Sequence, residues 1–430
     1  MKKVNVLVFP CGSEIGLEIQ RALKDCYYVN LIGASSVDDH GKYVYKNYVG
    51  DIPFVTDDRF VEAINECVDK YDVDYIFPAM DSVILALSQV RETLHAKLLT
   101  SPKETVDICR DKQKTYSALQ GCGFLPKVYE SVEEIKEYPV IVKPAVGQGS
   151  HGFKILNTKE DLVYDLSCRK EKTVICEYLP GKEYTIDCFT DKKGKLQYVA
   201  YRQRVRVRNG ISVNSVLQKG DDEFYKIAEE ISGKMAFRGA WFFQLKRDKQ
   251  GNLRLLECAT RVAGAMCVER AAGVNLALLT LLDAMDLDVS ILDQSINVEV
   301  DRALENCYSL NINYDSVILD FDDTLVVHGS VNKEALYFCY QCVERNIPII
   351  LLTKHDTDIF EDLRRYRISA DLFTEVIHID RNLEKTDYYT ATDTTLVLDD
   401  SFSERKKFRD RYNSIVLGAD AIEALIDHRG

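Results

Sequence analysis

At 430 residues the chain exceeds what one compact core accommodates, and its length corresponds to about two to four domains. Hydrophobic residues at 46% and charged residues at 29% are ordinary for a soluble globular protein. The formal net charge of −13 argues against a dedicated binder of nucleic acid or anionic membranes, while leaving phosphate ligands open.

Val4 to Phe9 reads as a buried first strand that runs into Pro10, Cys11 and Gly12, a better fit than a secretion signal. Gly12 to Gly16 is a turn into a helix carrying Leu17, Ile19, Ala22 and Leu23, and it lacks the full glycine spacing of a dinucleotide fold. Asp72 to Pro78 is a further strand whose following loop carries Asp81. Alternating strands and helices predict a parallel α/β domain over residues 1–105, with ligands at the strand C-terminal ends. The turn at Ser13 and Glu14, with Asp81, is placed either in a substrate pocket or in plain capping roles.

The middle segment, 106–306, opens with Asp111-Lys112-Gln113-Lys114. Tyr138 to Pro144 is a short strand with Lys143 near its end, followed by Gly147-Gln148-Gly149-Ser150-His151-Gly152 and a return strand from Phe153 to Leu156. Glycines at such a tip let backbone N–H groups approach phosphate oxygens, and Lys143 supplies a fixed positive charge. Val174 to Gly181 leads into Lys182-Glu183-Tyr184-Thr185, and Arg202 to Arg208 alternates arginine with bulk at strand period, predicting four arginines on one strand face. Arg202 and Arg204 are the expected substrate contacts, because a planar guanidinium suits carboxylate or phosphate. Trp241 to Lys246 and Leu253 to Arg261, joined by a turn at Gln250-Gly251-Asn252, bring Gln244 and Glu257 toward one cation. Mg²⁺ suits that site, since it takes few protein oxygens and completes its shell with water and substrate phosphates. The longest apolar stretch, Val274 to Leu282, is far short of the roughly 20 residues of a membrane span, so the expectation is a cytoplasmic protein.

In order and spacing these elements resemble the ATP-grasp superfamily, in the branch of carbamoyl-phosphate synthetase and biotin carboxylase, across about residues 1 to 305. The resemblance implies that Lys112 and Lys143 flank the nucleotide phosphates and that Gly147, Gly149, Ser150 and Gly152 close over them. It further implies that Glu177, Tyr178 and Leu179 hold the adenine edge, that Glu183 holds the ribose, and that Arg261 reaches the transferred phosphate. Glu257 would be the principal Mg²⁺ ligand and Gln244 a weaker one. The family pattern Glu-x-Asn-Pro-Arg reads here as Glu257-Cys258-Ala259-Thr260-Arg261, and Ala259 cannot ligate a metal. Two functions stay open: an ATP-dependent ligase joining a carboxylate to an amine through an acyl phosphate, or a silent nucleotide-binding module that regulates a neighbouring phosphatase.

The third segment, 312–430, begins Val317-Ile318-Leu319-Asp320-Phe321-Asp322-Asp323-Thr324. A buried strand ending in several acids is costly unless a cation or substrate charge pairs with them. Cys339 and Cys342 lie in a helical pattern and read as core, and the 13 scattered cysteines read as reduced thiols. A strand ending at Thr353, then Lys385, then a strand ending in Asp399 and Asp400, complete a set that resembles the haloacid dehalogenase superfamily. That resemblance implies a Rossmann-like phosphohydrolase with no large cap. Asp320 would be the nucleophile and Asp322 the acid/base, Thr353 and Lys385 would hold the phosphate, and Asp320, Asp399, Asp400 and the Asp322 carbonyl would bind Mg²⁺. The expected fold class is thus multidomain α/β and α+β. The expected partners are ATP, Mg²⁺, a carboxylate, an amine and a phosphorylated small molecule, with neither nucleic acid nor membrane; a homodimer is compatible with this reading.

Overall fold

The computed structural model describes residues 2–147, 149, 151–218, 220–292, 294 and 296–429. They fall into two compact units, Met1–Leu304 and Glu305–Gly430. Among the described residues no helix is long and apolar enough to cross a membrane. Among the described residues none of the 13 cysteines forms a disulfide, and Cys339 and Cys342 are buried in the helix Lys333–Glu344.

The first unit starts with a five-stranded parallel sheet of β1 (Val4–Phe9), β2 (Val29–Ala34), β3 (Asn47–Val49), β4 (Tyr75–Pro78) and β5 (Lys97–Leu98), ordered β3-β2-β1-β4-β5. Strand alternation divides its apolar residues between two cores. Leu7 and Phe9 pack with Phe60, Ile64 and Leu87, while Val4, Val6 and Val8 pack with Phe242, Ala259, Val262 and Met266 of the later chain. The same junction carries the bidentate pair Arg270–Glu18, at 3.0 and 3.1 Å, and a 2.8 Å bond from the Thr100 hydroxyl to the Thr260 carbonyl.

Next come four strands, β6 (Val128–Tyr129), β7 (Val140–Pro144), β8 (Lys154–Leu156) and β9 (Thr173–Glu177), in the order β6-β9-β7-β8. A six-stranded antiparallel sheet follows, built from β10 (Glu183–Thr190), β11 (Leu196–Arg208), β12 (Ile211–Gln218), β13 (Gly239–Arg247), β14 (Leu253–Ala259) and β15 (Glu299–Asp301), in the order β14-β13-β10-β11-β12-β15. One face of this sheet is apolar: Tyr184, Ile186, Cys188, Trp241, Phe243 and Leu245 pack on Phe224, Ile227 and Ile231 of the helix Asp222–Lys234. The opposite face carries Thr185, Asp187 and Gln244, interspersed with Phe189, Phe242 and Ala259, which join the core shared with the first sheet.

The expected strand face of four arginines is not formed. Pairing of β11 with β12 shifts register between Arg204 and Arg206 and again between Arg206 and Val207. These irregularities turn the run apart: Arg202 is buried on Asp187, whereas Arg206 is exposed and pairs with Asp301 at 2.8 Å.

The second unit is built on a parallel sheet of β16 (Ser316–Leu319), β19 (Ile349–Thr353), β20 (Glu375–His378), β21 (Thr395–Leu398) and β22 (Ile415–Leu417), ordered β20-β19-β16-β21-β22. Between the first two of these lie a short ladder of β17 (Val326–Val327) and β18 (Ser330–Val331) and the helix Lys333–Glu344. Val317 and Leu319 enter one core and Ile318 the other, as expected for a strand covered on both faces.

Candidate active sites

In the first unit, registry across four strands sets one row of polar residues. Glu257 of β14 lies opposite Gln244 of β13, Gln244 beside Thr185 of β10, and Thr185 opposite Arg202 of β11. The next row on this face is Ala259, Phe242, Asp187 and Ala200. The sheet presents Glu257 and Gln244 together because the β13–β14 pairing shifts by one residue between Gln244 and Leu245; continued without that shift, the ladder would set Gln244 opposite Leu256.

Lys112, Glu257 and Arg261 line one pocket with Gly147, Gly149 and Asp81. The Lys112 ammonium stands 3.7 Å from Glu257. Lys143, at the end of β7, donates to the Tyr116 hydroxyl at 3.0 Å and to the Leu256 carbonyl at 3.1 Å. Burial holds its ammonium below the ordinary lysine range, and Lys112 acts in the same direction while Glu257 and Glu183 oppose it. A lysine in that state gains when phosphate charge arrives. Arg110, which sequence reasoning passed over, lines the same pocket and donates to the Gly147 carbonyl at 2.8 Å. Gly152 is held in turn by Arg169, whose guanidinium donates to its carbonyl at 2.7 Å. Ser150 lies outside the described residues.

A neighbouring cleft of about 310 Å³ is lined by Ser13, Glu14 and Asp81, at the starts of two helices that follow strands of the first sheet, and by Arg202, Arg204 and Gln244 from the antiparallel one. The strand β4 delivers Asp81 to the first turn of the helix Asp81–Gln89, while Ser13 caps the helix Glu14–Leu23 by accepting from the Gly16 N–H at 3.0 Å. Arg261 binds Asp81 through two nitrogens, at 2.6 and 3.1 Å, and stacks on the Phe242 ring at 5.0 Å. Burial alone would raise the Asp81 carboxyl, but Arg261, helped by Arg110 and Lys112, holds it below the usual carboxylate range. Arg204 pairs with Glu183 and donates to Gln244 at 3.1 Å and to the Gly210 carbonyl at 2.6 Å. Glu183 also meets Lys246 at 3.5 Å.

Arg202 is less available than its position in the sequence suggested: its Nε donates to Asp187 at 2.6 Å within a buried pair. Glu269 is buried beside them, and burial together with Asp187 pushes its carboxyl well above the usual range. At the far end of β9, the Glu177 carboxylate accepts from the Lys127 N–H at 2.7 Å; Tyr178 follows it, and Leu179 is buried.

In the second unit, β16 pairs in parallel with both β19 and β21, which brings the residues following all three strands to one sheet edge. The Asp320 N–H donates to the Leu398 carbonyl at 2.9 Å. Carboxylate oxygens of Asp320, Asp399 and Asp400 lie within 4.8 Å of one another. Lys385 reaches Asp320 at 2.8 Å and Asp399 at 2.6 Å. Burial pushes the Asp320 carboxyl up to about 6, with Lys385 opposing and Asp399 adding to the rise. Burial, then Asp399 and Asp323, likewise raise Asp400. Three acids against one lysine leave surplus negative charge in a largely buried space, and a small hard cation fits such a set. The Thr353 hydroxyl at the end of β19 is buried and has no hydrogen-bond partner among the described residues. Asp322, half-exposed, faces His355.

Residues 169–304 match a family described as ATP-grasp in the biosynthetic pathway with Ter operon, which places that stretch in the ATP-grasp superfamily. Over 143 residues the chain is 32% identical to the D-alanine–D-alanine ligase of Fusobacterium nucleatum subsp. nucleatum, covering 31% of this chain and 50% of the ligase. The chain thus spans half of that curated relative and smaller shares of the next ones. Among solved structures, the biotin carboxylase domain of Hydrogenobacter thermophilus 2-oxoglutarate carboxylase, in complex with MgADP, ADP and bicarbonate, aligns at TM-score 0.56 and 18% identity over 67% of this chain and 72% of that one. N5-carboxyaminoimidazole synthetase of Staphylococcus aureus, complexed with ADP, aligns at 0.57 and 16% over 67% and 79%. At these identities the structural likeness establishes the fold.

Proposed function

We propose that this chain is an ATP- and Mg²⁺-dependent ligase, joining a carboxylate to an amine, whose C-terminal region is a Mg²⁺-dependent phosphohydrolase. The proposed domains are 1–105 and 106–306 for the ligase and 312–430 for the hydrolase. The observation that carries the first activity is the gathering of Lys112, Glu257 and Arg261 in one pocket beside Gly147 and Gly149, in a chain with an ATP-grasp stretch. In this reading Lys143 and Lys112 neutralise the nucleotide phosphates, and Glu177, Tyr178, Leu179 and Glu183 hold the nucleoside. Glu257 and Gln244 hold Mg²⁺, which supplies charge neutralisation at the phosphoryl oxygens. A substrate carboxylate then attacks the γ-phosphorus and the bond to the ADP oxygen breaks, giving an acyl phosphate whose phosphoryl group Arg261 contacts; the amine attacks the acyl carbon, loses a proton and expels phosphate. Arg261 is already aimed by Asp81, so little reorganisation is required as charge develops.

The test is ADP release by the purified protein with ATP and pairwise mixtures of amino acids and other small acids and amines, in parallel with Glu257→Gln. ADP that requires both an acid and an amine, and is lost in the variant, supports the ligase. No ADP with any pair would sink it. Ala259, buried at the end of β14 opposite Phe242, supports a second reading, because it offers no oxygen to a metal. There ATP changes the phosphatase rate without being consumed, and Lys143→Ala abolishes that effect while sparing basal hydrolysis.

For the hydrolase, the carrying observation is the cluster of Asp320, Asp399 and Asp400 around Lys385. Asp320 attacks the phosphorus of a phosphoester, while Thr353 and Lys385 hold the phosphoryl oxygens. Asp322 gives a proton to the leaving oxygen and then takes one from the water that cleaves the aspartyl phosphate. Turnover of p-nitrophenyl phosphate that needs Mg²⁺ and disappears in Asp320→Asn is the expected result. Activity untouched by that substitution would refute the assignment.

A further inference from the structure

The side chain assigned as proton donor is not isolated. Asp322 follows β16 in a turn closed by the Asp323 N–H donating to the Val326 carbonyl at 2.8 Å, which settles the backbone but not the carboxylate. The carboxylate is met instead by His355, just after β19: Nδ1 lies 2.8 and 3.0 Å from the two Asp322 oxygens. The opposite ring nitrogen, Nε2, lies 2.8 Å from Asp362 and 2.8 Å from the Thr357 hydroxyl, which itself bonds Asp362. Phe321 packs edge-on against the imidazole at 4.9 Å, and the His355 carbonyl accepts from His378 at 2.7 Å. The ring is thus held through both nitrogens, with Nδ1 directed at Asp322 and Nε2 at Asp362 and Thr357.

We propose that His355, clamped by Asp362 and Thr357, is a positioning residue that holds the Asp322 carboxyl at the leaving-group oxygen; the inference rests on the phosphohydrolase reading above. In the first step the Asp320 oxygen–phosphorus bond forms, the bond from phosphorus to the leaving oxygen breaks, and the proton on that oxygen comes from Asp322. In the second, a water oxygen bonds to phosphorus, the Asp320 ester bond breaks, and a water proton returns to Asp322. His355 is unchanged throughout; it supplies orientation, which proton transfer needs because donor and acceptor must stand within hydrogen-bond reach.

Esters that differ in their need for a proton separate this role from a structural one. For a glycerol 2-phosphate probe, whose alkoxide leaves only when protonated, kcat/KM in His355→Ala is expected to fall about 100-fold. For p-nitrophenyl phosphate, which departs without help, the same ratio falls less than about threefold, since kcat/KM reports only steps through formation of the aspartyl phosphate. His355→Asn, whose amide can stand where Nδ1 donates, restores most of the loss on glycerol 2-phosphate. Equal losses on both esters, or no loss on either, overturn the inference and leave the phosphatase reading in place. A wild-type protein that cleaves neither ester, or an Asp320→Asn variant that keeps its activity, removes the reading itself and the inference with it.

Discussion

The two sites solve the problem of gathering charge in opposite ways. In the first unit the arginines around the cleft are engaged by protein acids: Arg261 by Asp81, Arg204 by Glu183, Arg202 by Asp187. In the second unit Asp320 and Asp399 share the ammonium of Lys385, and Asp400 stands within 4.8 Å of both carboxylates. In the first cleft each of these arginine charges is thus matched by a protein carboxylate that fixes its direction. The second carries a surplus that a cation relieves. One site has its charges paired in advance and the other leaves charge unpaired.

The contrast is sharpest if each site can be silenced alone. Asp320→Asn is expected to lower phosphoester hydrolysis by about 10³-fold or more while ADP formation continues unchanged; a loss of both would mean that the two activities are not independent. Glu257→Gln should cut ADP formation by about 100-fold and leave p-nitrophenyl phosphate turnover at the wild-type rate. Arg261→Lys keeps the charge but not the two-pronged bond to Asp81, and a drop of about tenfold in ADP formation is expected, read in kcat rather than in the KM for ATP. An unaffected kcat would show that the aiming of Arg261 by Asp81 does not govern this cleft.

The smallest effect concerns acidity. The folded Asp320 carboxyl sits at about 6, above the ordinary aspartate range it recovers on unfolding. Between those values the folded state binds more protons than the unfolded one, so the second unit loses stability as pH rises toward 6. On the Mg²⁺ assignment proposed above, the ion would offset that loss once the proton has gone. Calorimetry is expected to show Mg²⁺ raising the melting temperature of this unit by a few °C at pH 7 and by much less at pH 5. An equal shift at both pH values would place the ion elsewhere.

How far such features could be read from sequence followed from how the chain brings charges together. Asp320 and Asp399 stand immediately after short apolar strands, so strand and acid are visible in one glance. The turn at Gln250-Gly251-Asn252 made it legible that Gln244 and Glu257 lie on neighbouring strands, but their direct opposition depends on a register shift between Gln244 and Leu245 that the turn does not reveal. Partners separated by long stretches were not legible. Arg261 finds Asp81 at a distance of 180 positions, and Asp322 finds His355 across 33. Nor does period-two alternation reveal a register shift, which is why the arginines of β11 looked like one face. Lys143 was placed at the end of its strand correctly, but its anchoring to Tyr116 and the Leu256 carbonyl depends on packing that no local pattern encodes.

The shared core of the first unit bears on how this protein can be dissected or recombined. Val4, Val6 and Val8 interdigitate with Phe242, Val262 and Met266, and a Cβ placed on Gly264 would lie 2.2 Å from the Glu14 carboxylate. A fragment truncated near residue 105 would therefore bare a greasy wall on each half, and both pieces should precipitate on expression. Severing the polypeptide between Leu304 and Glu305 cuts between the two compact units. The natural cassette for shuffling or crystallisation is accordingly the whole stretch to residue 304.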